Sequence, residues 1–185
     1  MTNITSRFAF VTLFIALTAT CRLSQTTHLA QNEQGNQNSP SSMPPRKGLV
    51  NDYSNVLDQS SGERLESTLS RLRQRSGVEF VVVIVNSTGD QPIEDYSSAL
   101  IRKWGLDPKD DKDAKVLLLV AVKDYQWRFN ITKALWNDLP DAKLEEFGSL
   151  MKDSFSEEKY GEGLLKGVDA VIATLTERHR GRKTR

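Results

Sequence analysis

Two aliphatic runs constrain this chain more than anything else in it. "VEFVVVIVN" spans Val78 to Asn86, and "KVLLLVAV" spans Lys115 to Val122. Both are apolar at consecutive positions, so each strand must be covered on both faces. Such runs belong at the centre of a mostly parallel sheet flanked by helices.

The segments around them follow that logic. "GLVND" (residues 48–52) is a short strand candidate that leads into a turn. Between Ser60 and Arg75 the apolar residues Leu65, Leu69 and Leu72 form a helical stripe. Ser60 or Ser61 can cap this helix, Asp58 flanks it, and Gly77 ends it. A second helix is predicted over Ile93–Trp104, closed by Gly105. In "WRFNI", Trp127, Phe129 and Ile131 alternate with Arg128 and Asn130, the pattern of a hairpin partner at a sheet edge. Arg128, on the outward face, is expected in a surface salt bridge. Two more helices follow. Asp138 or Asp141 can cap the first, and Leu144, Phe147 and Met151 form its stripe. The last covers about 162–177. The order predicts an α/β fold, a three-layer α/β/α sandwich whose mostly parallel sheet carries an antiparallel edge hairpin.

The start of the chain reads differently. Arg7 and the apolar run Phe8–Ala19 look like a targeting signal, too short to span a bilayer comfortably. The single cysteine, Cys21, follows directly. Its position resembles a bacterial lipobox, although Thr18 and Thr20 stand where Leu and a small residue are usual. The reading is a signal peptide over 1–20 and a lipidated Cys21 that holds the protein to a membrane. An unlipidated secretory signal is the alternative. Residues 21–47 are rich in Gln, Asn, Ser and Pro and read as a flexible tether. The folded domain is expected over 48–178, with a basic tail over 179–185. The hydrophobic share of 38% is low for a globular chain, and the tether accounts for it.

Several chemistries are excluded. Lys plus Arg number 25 against 24 Asp plus Glu, a net charge of +1, so nucleic acid is not an expected partner. The two histidines, His28 and His179, fall in the tether and the tail. No Ser-His-Asp device or zinc site is therefore expected in the domain. "YGEGLLKGV" (Tyr160–Val168) follows a helix rather than a strand, so it is read as close helix packing and not as a nucleotide loop. The loop Asp107–Leu118 lacks the central Gly and terminal Glu of an EF-hand.

"VNDYSNVLDQSSGERLESTLSRLRQRSGVEFVVVIVNS", "PIEDYSSALIRKWGL", "KVLLLVAVKDYQWRF", "LPDA" and "YGEGLLKGVDAV", in this order and spacing, resemble the TPM domain family. The resemblance covers about residues 48–176. It implies an α/β/α sandwich outside the cytoplasm, often membrane-tethered. It also implies calcium binding and, in some members, a weak acid phosphatase activity. The chain departs from the family where Asp113, Ala114 and Lys115 replace Asp-Asn-Gly. It departs again where Lys123, Asp124 and Tyr125 replace Asp-Asp-Arg, and where "TKALWND" (residues 132–138) has lost the family's glycines.

In an open α/β sheet, ligands sit at the carboxyl ends of parallel strands. That edge is expected to gather Asp52, the Asp90 loop and the Asp124 hairpin tip, with Asn86 and Thr88 nearby. Hard oxygen ligands of this kind suit Ca²⁺ or Mg²⁺. Asp52 has a second reading as a turn former that bonds its own backbone two residues on. Asp113 precedes the strand that Asp124 follows, roughly 26 Å away along eight residues. It enters the metal set only through the family pattern. The function expected is an extracytoplasmic, membrane-tethered interaction module with an envelope protein partner. Its location is the outer membrane if the cell has two. The alternative is a weak metal-dependent acid phosphatase.

Overall fold

The structure, a computed structural model, describes residues 43–183, with side chains as far as Glu177. The targeting signal, Cys21 and nearly all of the tether lie outside the described residues. Among those described, no helix is long and apolar enough to cross a membrane.

The elements run β1 (Val50–Asp52), α1 (Gln59–Ser76), β2 (Glu79–Val85), α2 (Ile93–Trp104), β3 (Lys115–Ala121), β4 (Gln126–Ile131), α3 (Asp141–Ser156) and α4 (Tyr160–Lys183). A single 3-10 turn, Lys133–Leu135, stands between β4 and α3. The sheet order is β1-β2-β3-β4. The first three strands are parallel, with Asp52 beside Ile84 and Val85 beside Ala121. β4 returns antiparallel, with Arg128 beside Leu119. This is the α/β fold that the two aliphatic runs demand. β2 is buried from Phe80 to Val85 and β3 is buried throughout.

Helices cover both faces. α1 and α3 pack against α4. Trp127 points to that side, against Gly148 of α3. Arg128 and Asn130 point to the other side and meet α2. Arg128 Nη1 donates to Glu94 Oε1 at 2.9 Å, the surface ion pair predicted for it. Ser97 Oγ lies 3.5 Å from Asn130 Oδ1.

Four boundaries differ from the sequence reading. The packed domain begins at Met43 rather than Gly48. Met43 is buried, Trp104 Nε1 donates to Pro44 O at 2.9 Å, and Arg46 pairs with Glu79 at 2.8 Å. Lys103 donates to Met43 O, and Tyr53 donates its hydroxyl proton to Pro45 O. Composition flagged this stretch as tether because its bonds run mostly through backbone carbonyls, which no residue type reports. At the other end, α4 continues to Lys183 through the stretch read as a tail. The cap of α1 is Asp58, whose Oδ1 accepts from Ser61 N at 2.9 Å, and not Ser60 or Ser61. The N-cap of α3 is Pro140, with no side-chain bond, so neither Asp138 nor Asp141 caps it.

Among the described residues the core runs from Met43 to Leu175. The glycines of "YGEGLLKGV" let α4 approach its neighbours. A Cβ on Gly163 would stand 2.7 Å from the Phe155 ring and 3.1 Å from Met151 O, and one on Gly167 would stand 2.6 Å from Met151 Sδ. Lys166 is tied to Glu162 at 2.7 Å and to Ser154 Oγ at 3.1 Å. The segment is a packing device. Gly163→Ala should therefore destabilise the domain by about 1–3 kcal/mol in urea unfolding, because backbone as well as side chain must shift. An unchanged midpoint would show that α3 and α4 have slack.

Candidate functional site

Asp52 is the last residue of β1. Its Oδ1 accepts from Ser54 N at 2.9 Å and its Oδ2 from Leu57 N at 2.9 Å. One carboxylate thereby folds the chain back on itself between β1 and α1. Asn55, inside this turn, has φ of 54°, a left-handed conformation that Asn tolerates better than most residues. Asp58 closes the turn by capping α1, and its Oδ2 also accepts from Ser61 Oγ at 2.6 Å. The bonds from Ser61 hold the Asp58 carboxyl below the usual carboxylate range.

Asp124 sits in the four-residue turn that joins β3 to β4, where Tyr125 has φ of 53°. Its carboxylate reaches sideways to the loop after β2. Ser87 Oγ donates to Oδ1 at 2.7 Å and Thr88 N donates to Oδ2 at 2.8 Å. Thr88 Oγ1 lies 3.3 Å from Oδ2 and 2.7 Å from Gln91 O. A hydroxyl has one proton, and the shorter contact takes it. Beneath, Lys123 N donates to Asn86 O at 2.8 Å. Asp124 thus ties the exit of β2 to the hairpin turn. Asp90 is exposed in the turn after Gly89.

Asp113 lies at the amino end of β3, away from this edge. It accepts from Lys109 N at 3.0 Å and pairs with Lys115 Nζ at 3.0 Å. The Lys109 N–H, and after it the Lys115 ammonium, hold its carboxyl below the usual range. The structure does not bring Asp52, Asp124 and Asp113 together. No group of three or more His, Cys, Asp or Glu side chains suited to one ion occurs among the described residues.

Sequence reasoning missed the apolar cleft beside Asp124. About 330 Å³ lies between the β3–β4 hairpin and the ends of α3 and α4, walled by Trp127, Phe155 and Tyr160. Trp127 meets Phe155 edge-on at 6.2 Å, and Phe155 lies 5.2 Å from Tyr160. Burial, and then the Glu158 and Tyr125 charges, push the Tyr160 hydroxyl up. A second cleft of about 440 Å³ flanks the other end of β4, with Phe129, Ile131 and Trp136 among its lining. The aromatic residues come from separated segments, so no local motif announces either cleft. Phe155, one turn beyond the Met151 stripe, was the one available signal.

The family model described as TPM domain matches residues 50–174. The solved N-terminal domain of a protein from P. gingivalis is 30% identical, with a TM-score of 0.68 over 76% of this chain and 92% of that one. Two further solution structures share the fold at lower identity. The N-terminal domain of a Corynebacterium glutamicum protein has 14% identity and a TM-score of 0.55, over 71% of this chain and 83% of that one. The BA42 protein of Bizionia argentinensis has 15% identity and a TM-score of 0.58, over 68% and 85%. No curated protein matches the chain.

Asp52→Ala should cost about 1–3 kcal/mol in urea unfolding, since two backbone N–H groups lose their acceptor. A midpoint unmoved by this change would mean that water replaces the carboxylate freely. Asp58 adds a pH dependence. Its folded pKa is depressed, so its contribution is complete above the ordinary carboxylate value and is lost as pH falls through the depressed one. The melting-temperature gap between the native chain and Asp58→Ala should therefore be widest near neutral pH and close in acid. A gap independent of pH would contradict the capping role.

Proposed function

The chain belongs to the TPM domain family, and from that premise we propose that it is an extracytoplasmic, membrane-tethered interaction module with weak Ca²⁺ binding at the carboxyl edge of its sheet. The observation that carries this reading is the use of the two edge carboxylates. Asp52 and Asp124 each spend both oxygens on loop N–H or O–H donors. They shape the loops at the carboxyl edge of the sheet.

The residues fit a Ca²⁺ ion in part. Carboxylate oxygens that accept one hydrogen bond keep a free lone pair, and Ca²⁺ takes six to eight hard oxygens, some from carbonyls and water. Asp124, with the Ser87 and Thr88 oxygens, would supply them; Asp52 stands two strands away across β2, and Asp113 lies at the other end of β3. An ion held by so few protein carboxylates would bind weakly and stiffen the loops when present, which gates a partner surface. Mg²⁺ demands stricter octahedral geometry and fits such scattered ligands less well. The tether and the lipid on Cys21 would keep the module near a membrane, where an envelope protein is its partner.

The phosphatase reading, with carboxylates holding a metal ion and water as the nucleophile, rests mainly on the family resemblance, which places it second. Calorimetric titration of residues 43–185 with Ca²⁺ decides. Saturable heat in the native chain, abolished in Asp124→Ala and retained in Asp52→Ala, is expected. No heat at millimolar Ca²⁺ would remove the ion from the account. Phosphomonoester hydrolysis lost on chelation and in Asp124→Ala would reverse the order of the two readings.

A further inference from the structure

The two edges of the sheet are finished differently. At the β1 edge, Glu66 accepts from Leu49 N at 3.1 Å and from Val50 N at 2.7 Å. The strand is three residues long, and the Asn51 side chain holds Lys47 N, Gly48 N and Gly48 O. These are devices that close an edge to further pairing.

The β4 edge has none of them. Thr132 N bonds Lys115 O, which fixes the hydrogen-bonded register between the two strands. Gln126, Arg128 and Asn130 then turn their backbone groups to β3, while Trp127, Phe129 and Ile131 turn theirs outward. Among the described residues no further strand follows β4 in the sheet. Six residues, with no Pro and no Lys, run along this edge.

The surroundings are apolar. Among the described residues the exposed large hydrophobics are Tyr125 at 82%, Trp136 at 60% and Leu150 at 46%. Tyr125 precedes β4, Trp136 follows it, and Leu150 is on α3, the helix against which Trp127 packs. Isolated exposed hydrophobics need no explanation; two that flank one unpaired strand do.

We propose that β4 is a homodimer interface, in which a second copy of this chain pairs antiparallel with the free edge about a two-fold axis at Phe129. The argument for a second copy is self-complementarity. In this register Phe129 faces Phe129, and Trp127 faces Ile131, with each pair exchanging two backbone bonds. Arg128 faces Asn130 of the second copy, so no like charges stand opposite. A two-fold perpendicular to the sheet keeps α3 and α4 of both copies on one side. It brings Trp136, beyond the end of one strand, toward the start of the other, where the exposed Tyr125 stands, and does so twice in each dimer. The Asn130 amide nitrogen and Arg128 Nε, both buried, have no partner among the described residues.

The test is done in chelator, so that its outcome does not depend on the proposed ion site. Sedimentation equilibrium of residues 43–185 from micromolar to millimolar concentration should show a reversible monomer–dimer equilibrium. Trp136→Ala, an exposed position that folding tolerates, should weaken it by about tenfold or more. The register is read by cross-linking, in a segment that contains no native cysteine. In a hydrogen-bonded pair the two Cα atoms at position 129 are about 5.5 Å apart, within disulfide reach. Oxidation of Phe129→Cys should therefore give covalent dimer much faster than oxidation of Gln126→Cys. A chain that stays monomeric at millimolar concentration overturns the proposal, including one that instead takes up an unrelated extended peptide. So does a dimer that Trp136→Ala leaves intact and that shows no preference for position 129.

Discussion

The pairing of β2 with β3 is the constraint on which the rest depends. Seven consecutive residues of each strand lie side by side, from Glu79 beside Lys115 to Val85 beside Ala121. Nearly all of them are buried, so both faces need cover, and one face takes α1, α3 and α4 while α2 takes the other. Burial of these aliphatic side chains, each worth roughly 1.5–3 kcal/mol, leaves the centre of the sheet no polar group to spare. Chemistry and recognition are displaced to its margins: the strand ends and the two edges.

At the strand ends, carboxylates act as braces. Asp52 folds the loop between β1 and α1, Asp124 joins two loops that are distant in sequence, and Asp113 holds the Lys109 and Lys115 end of β3. In each case a negatively charged acceptor receives backbone N–H groups that would otherwise be left without partners. Such braces are compatible with a cation that reinforces them. They differ from a reaction centre, where a group of acids converges on one point.

Much of this was legible in the residues. The continuous aliphatic runs fixed β2 and β3, the Ile93–Trp104 helix ended where Gly105 adopts φ of 63°, and the alternation of "WRFNI" placed β4 at an edge. The turn-forming role of Asp52 could also be read from its position before a polar pair and a helix. Three features could not. The Met43–Lys47 strap is held mostly by main-chain carbonyls, which sequence does not distinguish. The partners of Asp124 lie 36 and 37 residues away, and no local pattern encodes that distance. The closed state of the β1 edge depends on Glu66, which reads from sequence as an ordinary exposed helix residue.

The central claim is that the sheet is closed at β1 and open at β4. Native-state hydrogen exchange, followed amide by amide at a concentration where the chain is monomeric, tests it most directly. The amides of β2 and β3 should exchange only on global unfolding. Val50, held by Glu66, should be protected, while the outward amides of Trp127, Phe129 and Ile131 exchange by local access. Protection of Phe129 equal to that of Val50 in the monomer would contradict the account, because the β4 edge would then already be covered by the chain itself.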